Sequence, residues 1–133
     1  MKLTDPIADM FSRIMNALQS DKNEVLIPHS KVKQSMCKIM KDDGFIRFFE
    51  IINTDLKKQI IKVGLKYDNK KSSIITEIKR VSRPSKRVYV KKSQIPRVRS
   101  GYGTSFISTS KGILSGKHAR IANVGGEYLG YIQ

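Results

Sequence analysis

Two amphipathic stripes fall early in the chain and none of comparable length falls later. Ile7, Met10, Phe11, Ile14 and Leu18 recur at helical spacing, as do Val32, Met36, Ile39 and Met40. Thr4-Asp5-Pro6 offers a capping side chain followed by proline at the first helical position, so the first helix should run to about Leu18. Ser30 should cap the second, and Asp43-Gly44 should close it with glycine at C′. Glu24 to Ile27 reads as a short strand stopped by Pro28. Phe45 to Ile52 and Gln59 to Tyr67 read as a strand pair turned at Asn53-Thr54-Asp55, with Phe45, Phe48 and Phe49 as core.

After Asp68-Asn69-Lys70-Lys71 the pattern changes to short strands punctuated by glycine and proline. Strands are expected over residues 74–81, 87–91, 104–107 and 127–132, with one helical turn within 93–98 and a short helix capped by Ser115. The expectation is therefore an α+β chain of two small lobes. Residues 1–68 form a helix-strand-helix-hairpin lobe, and residues 69–133 a mostly-β lobe with short helices. With 133 residues, 39% of them hydrophobic and 28% charged, the chain is long enough for a packed core.

Charge narrows the class of partner. The formal net charge is +15, and residues 70–100 hold 11 basic side chains against one acidic, while residues 1–69 hold 12 against 9. A field concentrated in this way repels itself unless a polyanion neutralises it, which points to nucleic acid. No basic amphipathic helix, membrane-length apolar run or signal-peptide core stands in the sequence, so the expected setting is cytoplasmic, with no membrane partner. The lone Cys37 fits a reducing compartment.

The basic stretch leads into Ser108-Thr109-Ser110-Lys111-Gly112. Hydroxyls donate and accept without carrying a charge, so a row of them on a turn can read base edges and 2′-hydroxyls. The same residues also fit a serine nucleophile with its lysine, or a hydroxyl-rich turn. Ser35-Met36-Cys37-Lys38 has the same spacing, and the companion elements of serine acyl-enzymes are absent, so no catalytic residue is assigned. Scattered His29, His118 and Cys37 supply no metal site, and no cofactor motif is present. Arg87, Tyr89 and Lys91 alternate onto one strand face, as a phosphate-and-base platform or as solvated charges around a half-buried ring. Glu127, an acid among cations, follows Gly125-Gly126, where backbone can approach a partner closely. It is either a solvated strand residue or an acceptor for base amino groups. Arg13 lies off its helix's apolar stripe and reads from spacing alone as solvated surface.

Taken together, several segments resemble one family. They are Asp5-Pro6-Ile7-Ala8-Asp9-Met10 with Arg13-Ile14 and Asn16-Ala17, then Ile78-Lys79-Arg80-Val81-Ser82 with Pro84 and Arg87-Val88-Tyr89. Ile107 to Gly112 and Asn123 to Glu127 complete the set. The resemblance is to protein eight of the small ribosomal subunit, in bacterial or organellar form, and covers essentially the whole chain. It implies a two-lobed primary binder of the central domain of small-subunit ribosomal RNA, acting early in assembly beside neighbouring small-subunit proteins. It also implies that Ser108, Thr109, Ser110 and the backbone around Gly112 enter an RNA minor groove, with Lys111 in the same turn. Tyr89 would pack on a nucleotide, Gly126 and Glu127 would touch an internal loop, and Thr4, Arg13 and Lys31 would contact phosphates. Some bacterial members also repress their own messenger RNA, which adds that RNA as a candidate partner. One departure stands out: Gly116-Lys117-His118 follows Ser115 where relatives tend to open the helix with Glu. The capping box is lost, so a frayed or shifted helix start is expected.

Overall fold

A computed structural model describes residues 4–55 and 57–133. The chain divides into two compact units, one comprising residues 9–76 and the other residues 1–8 with 77–133. Among the described residues, three α-helices and two antiparallel sheets make up an α+β architecture.

In the unit of residues 9–76, helix α1 (Pro6–Gln19) enters from the other unit and buries Met10, Phe11, Ile14, Ala17 and Leu18. Its start is capped as the sequence implies, the Ala8 N–H donating to Asp5 Oδ1 at 3.1 Å. Strand β1 (Glu24–Pro28), helix α2 (Lys31–Asp42), strand β2 (Ile46–Asn53) and strand β3 (Gln59–Leu65) follow, and the sheet order is β1-β3-β2. Helix α2 packs on β2. Its N–H at Lys33 donates to Ser30 Oγ at 3.1 Å. At its far end Gly44 (φ +83°) donates to Lys41 and Phe45 donates to Met40, the paired closure that a left-handed C′ glycine permits.

The buried face of α2 differs from the apolar stripe in the sequence. Val32 is exposed, and Lys33 takes its place in the core beside Met36, Cys37 and Met40. A lysine stem covers apolar surface well, and Asp9 supplies a charge near its head. Burial lowers the pKa of Lys33, and Asp9 opposes that shift. Burial likewise pushes the Cys37 thiol up to about 12, which leaves it unreactive.

The second unit is a sheet of β4 (Ile78–Arg80), β5 (Tyr89–Val90), β6 (Thr104–Thr109), β7 (Gly112–Ser115) and β8 (Gly126–Ile132), with helix α3 (Gly116–Ala122) packed on β6 and β7. Strand β8 is central. It pairs with β4 and β5 along one edge and with β6 along the other. Phe106, Ile132, Leu129 and Ile78 are buried here, and Ile95, Ile107 and Ala119 form a cluster covered by Val90, Leu114, Val124 and Tyr128.

Several boundaries differ from expectation. The strand expected over 74–81 shrinks to Ile78–Arg80, because pairing with β8 begins only at Glu77 and Gln133, which exchange bonds of 3.0 and 2.9 Å. The strand expected over 87–91 is only Tyr89–Val90. The turn of helix expected within 93–98 does not form; a 3₁₀ turn sits at Val98–Gly101 instead. Pro96 has no N–H and biases Ile95 to extended backbone, which lets Ile95 enter the core. The start of α3 is neither frayed nor shifted. Ser115 Oγ accepts the His118 N–H at 3.2 Å, and the His118 ring Nδ1 lies 3.1 Å from the same oxygen, so the helix start is held by its cap without a capping-box glutamate.

Candidate nucleic-acid interface

The register of β8 brings three distant stretches into one row. Ser108 of β6 and Tyr89 of β5 both lie directly opposite Glu127 of β8, one on each side. Side chains of directly paired residues project to the same face, so hydroxyl, carboxylate and phenol share one side of the sheet. A one-residue bulge makes this possible. Phe106 pairs with Gly130 but Ile107 pairs with Tyr128, which leaves Leu129 as the extra residue. Without that extra residue Ser108 would face Tyr128, and Glu127 would fall on the opposite face. The bulged carbonyl of Leu129 is not left unpaired: Arg80 donates to it at 2.6 Å and the Val81 N–H at 3.0 Å.

Glu127 is held by its own neighbours. Its Oε2 accepts a short hydrogen bond from Ser82 Oγ and one of 2.9 Å from Arg87, and Ser82 Oγ in turn accepts the Val88 N–H at 3.1 Å. Burial raises the pKa of this carboxyl, but hydrogen bonds from Ser82 and Arg87 and the charges of Arg87 and Arg80 outweigh it. The net effect leaves Glu127 below the ordinary glutamate value and ionised. Ser82 stands in one of the segments that carry the family resemblance but is not among the site residues expected from the sequence; nothing in its local sequence marks it as a partner of Glu127.

The hydroxyl row divides by role. Ser108 and Thr109 belong to β6 rather than to the turn, so their side chains alternate between the sheet's two faces. The Thr109 hydroxyl builds the hairpin, accepting the Lys111 N–H at 3.0 Å and donating to the Gly112 carbonyl at 2.8 Å. Ser110 and Lys111 are exposed at the tip, and Gly112 (φ +104°) closes the turn with open space where a Cβ would stand. The close approach at Gly125-Gly126 is to the chain's own backbone. A Cβ on Gly126 would lie 2.0 Å from the Ser108 carbonyl oxygen, and one on Gly125 would lie 2.4 Å from that of Val90.

Tyr89 is 69% exposed, too open to be a core ring. Arg87 is exposed yet ion-paired to Glu127, and Lys91 stands exposed just beyond β5, its N–H donating to Gln94 at 3.3 Å. Thr4 is exposed just ahead of α1, in the same unit as this row. Arg13 and Lys31 belong to the other unit. Arg13 pairs with Asp9 across one helical turn at 2.8 Å, and Lys31 is an exposed first residue of α2.

Comparison with known proteins decides the family. The chain matches the family described as Ribosomal protein S8 over residues 5–133. It belongs to that family. Among its relatives, the small ribosomal subunit protein uS8 of Mycoplasmopsis synoviae is 48% identical over 132 residues, covering 99% of each chain. The uS8 of Geobacter metallireducens is 48% identical over 129 residues, covering 97% of each, and that of Syntrophomonas wolfei is 46% identical over 132, covering 99% of each. As a ribosomal protein S8 family member the chain is a structural protein of the ribosome and not an enzyme. The Ser108-to-Lys111 spacing is accordingly that of a hairpin turn, whose bonds run through Thr109. No helix among the described residues is long and apolar enough to cross a membrane.

Proposed function

We propose that this chain is a small-subunit protein that binds the central domain of small-subunit ribosomal RNA and acts in subunit assembly, beside neighbouring small-subunit proteins. The observation that carries the reading is the row of Ser108, Glu127 and Tyr89 on one sheet face. A hydroxyl reads a groove edge or a 2′-hydroxyl, an ionised carboxylate accepts from base amino groups, and an exposed ring stacks on a base. Lys111, Lys91, Lys86 and Lys92 around it are exposed and supply phosphate contacts. The half of the chain from residue 69 onward carries this surface, and Thr4, Arg13 and Lys31 add phosphate contacts from the N-terminal half. Phosphate contacts supply affinity, while the row, with Ser110 and the backbone at Gly112 and Gly126, supplies choice among RNAs. The chain's own messenger RNA is a second ligand of the same surface if it folds into a similar stem.

Competition binding at about 0.2 M salt tests this, with a central-domain ribosomal RNA stem set against bulk duplex RNA and duplex DNA. Charge-only binding is micromolar or weaker there. The proposal expects the ribosomal stem to win by about a thousandfold. Equal competition by all three would reduce the chain to a sequence-blind polyanion coat.

A further inference from the structure

At the other end of β6 from Ser108 stands the most exposed large hydrophobic residue among those described, Tyr102, at 86%. Five residues of mostly extended chain lie between the two, on the order of 15–20 Å. Tyr102 is not on a loose loop. Its N–H donates to the Arg99 carbonyl at 3.1 Å, and the next N–H, of Gly103, donates to Val98 at 3.0 Å. Gly103 packs so closely that a Cβ there would lie 2.4 Å from Val98 and 2.8 Å from the Ile132 carbonyl. A bare phenol is thus held out from a tightly bonded turn, at a cost in exposed apolar surface that the fold itself does not recover.

The charges around it are all of one sign. Arg97 and Arg99 are exposed in the same turn, and between Glu77 and Glu127 the sequence holds no acidic residue. Among the described residues no carboxylate lies within ion-pair distance of Arg97, Arg99 or Arg120. Arg120, which donates to the Pro96 carbonyl at 3.5 Å, feels Arg97 as a like charge: burial and that repulsion both lower its pKa.

We propose that Tyr102, with Arg97 and Arg99, is a second RNA contact: a platform on which one unpaired nucleotide stacks while the two guanidiniums take its flanking phosphates. An exposed aromatic ring with two exposed arginines in the same turn fits a nucleotide, whereas an acidic peptide would use the arginines and leave the ring idle. The inference rests on the RNA-binding reading above but uses none of the residues in the Ser108–Glu127–Tyr89 row, so the two fail separately.

The chain contains no tryptophan, so a Tyr102→Trp variant carries a single reporter at the platform. Its emission should fall by about half or more on titration with a central-domain ribosomal RNA transcript. Tyr102→Ala should weaken binding of that transcript by about 5- to 100-fold, the scale of one base stack, with an unchanged melting temperature. Arg97→Gln with Arg99→Gln should flatten the logarithmic salt slope by about one to two. If the transcript binds, and Tyr89→Ala weakens it, yet Trp emission and Tyr102→Ala affinity do not change, the platform is overturned and the main surface stands. Tyr102 then faces a protein. If the wild-type chain does not bind the transcript, both readings fall.

Discussion

Arg80 donates its Nε to both carboxylate oxygens of Asp5, at 3.2 and 3.0 Å, while Asp5 caps the first turn of α1. The same guanidinium donates to the bulged carbonyl of Leu129, so one buried arginine joins the helix start to the distortion that aligns the candidate interface. A residue that counts in the sequence as part of a basic run is, in the fold, an internal brace.

Arg80→Met should therefore destabilise the unit of residues 77–133 by about 2–4 kcal/mol, since it leaves Asp5 charged and mostly buried and the Leu129 carbonyl short of a donor. Urea denaturation checks this. A loss under about 1 kcal/mol would mean that the pair is effectively solvated.

Gly126→Ala should be more damaging than its size suggests, because the added methyl would meet the Ser108 carbonyl at 2.0 Å. Separation of β6 from β8 should cost about 3 kcal/mol or more and lower the melting temperature by at least several degrees. An unchanged melting temperature would refute the register.

Tyr89→Ala separates recognition from stability. With Tyr89 69% exposed, removal of its ring should leave the melting temperature within about a degree. Affinity for the ribosomal stem should fall by about 1–3 kcal/mol, the scale of one base stack. Filter binding and a thermal melt on the same preparation decide it.

The hydroxyl pair should divide in the opposite sense. Thr109→Ala removes two hydrogen bonds from the hairpin and should cost about 1–2 kcal/mol of stability. Ser108→Ala should cost little stability but reduce discrimination between the ribosomal stem and bulk duplex. If Ser108→Ala proves the more destabilising of the two, the assignment is reversed.

Acid stability should report on Glu127. Its carboxyl is lowered in the fold, so the stability it contributes is whole above the ordinary value of 4.5 and is lost as pH falls through the lowered folded value. Wild type and Glu127→Gln should thus differ most near neutrality and converge only as pH falls through that lowered value. A difference that is constant with pH would mean that the carboxylate's ionisation does not matter.

The elements that were legible in the sequence are those whose cause is local. Asp5 and Ser30 satisfy helix N–H groups from within a few residues, Gly44 supplies a positive φ, and the two strands of residues 45–67 are largely apolar runs split by the turn at Asn53-Thr54-Asp55. Such causes act within a few residues, so they survive without knowledge of the fold. The family, too, was legible, because its motifs are short contiguous runs. Burial of Lys33 in place of Val32 was not legible, because it depends on which face of α2 meets the rest of its unit.

The sequence by itself also determined which cations, hydroxyls, tyrosine and glutamate were available to the candidate interface, together with a net charge of +15. Only the tertiary structure decided their arrangement. Ser108, Glu127 and Tyr89 share a face because a single extra residue at Leu129 shifts the β6–β8 register by one. The same structure pairs Arg87 with Glu127 and gives the Thr109 hydroxyl two bonds within its hairpin. Register has a period of two, so one inserted residue reverses which side chains meet, and that residue is selected by packing between strands far apart in sequence.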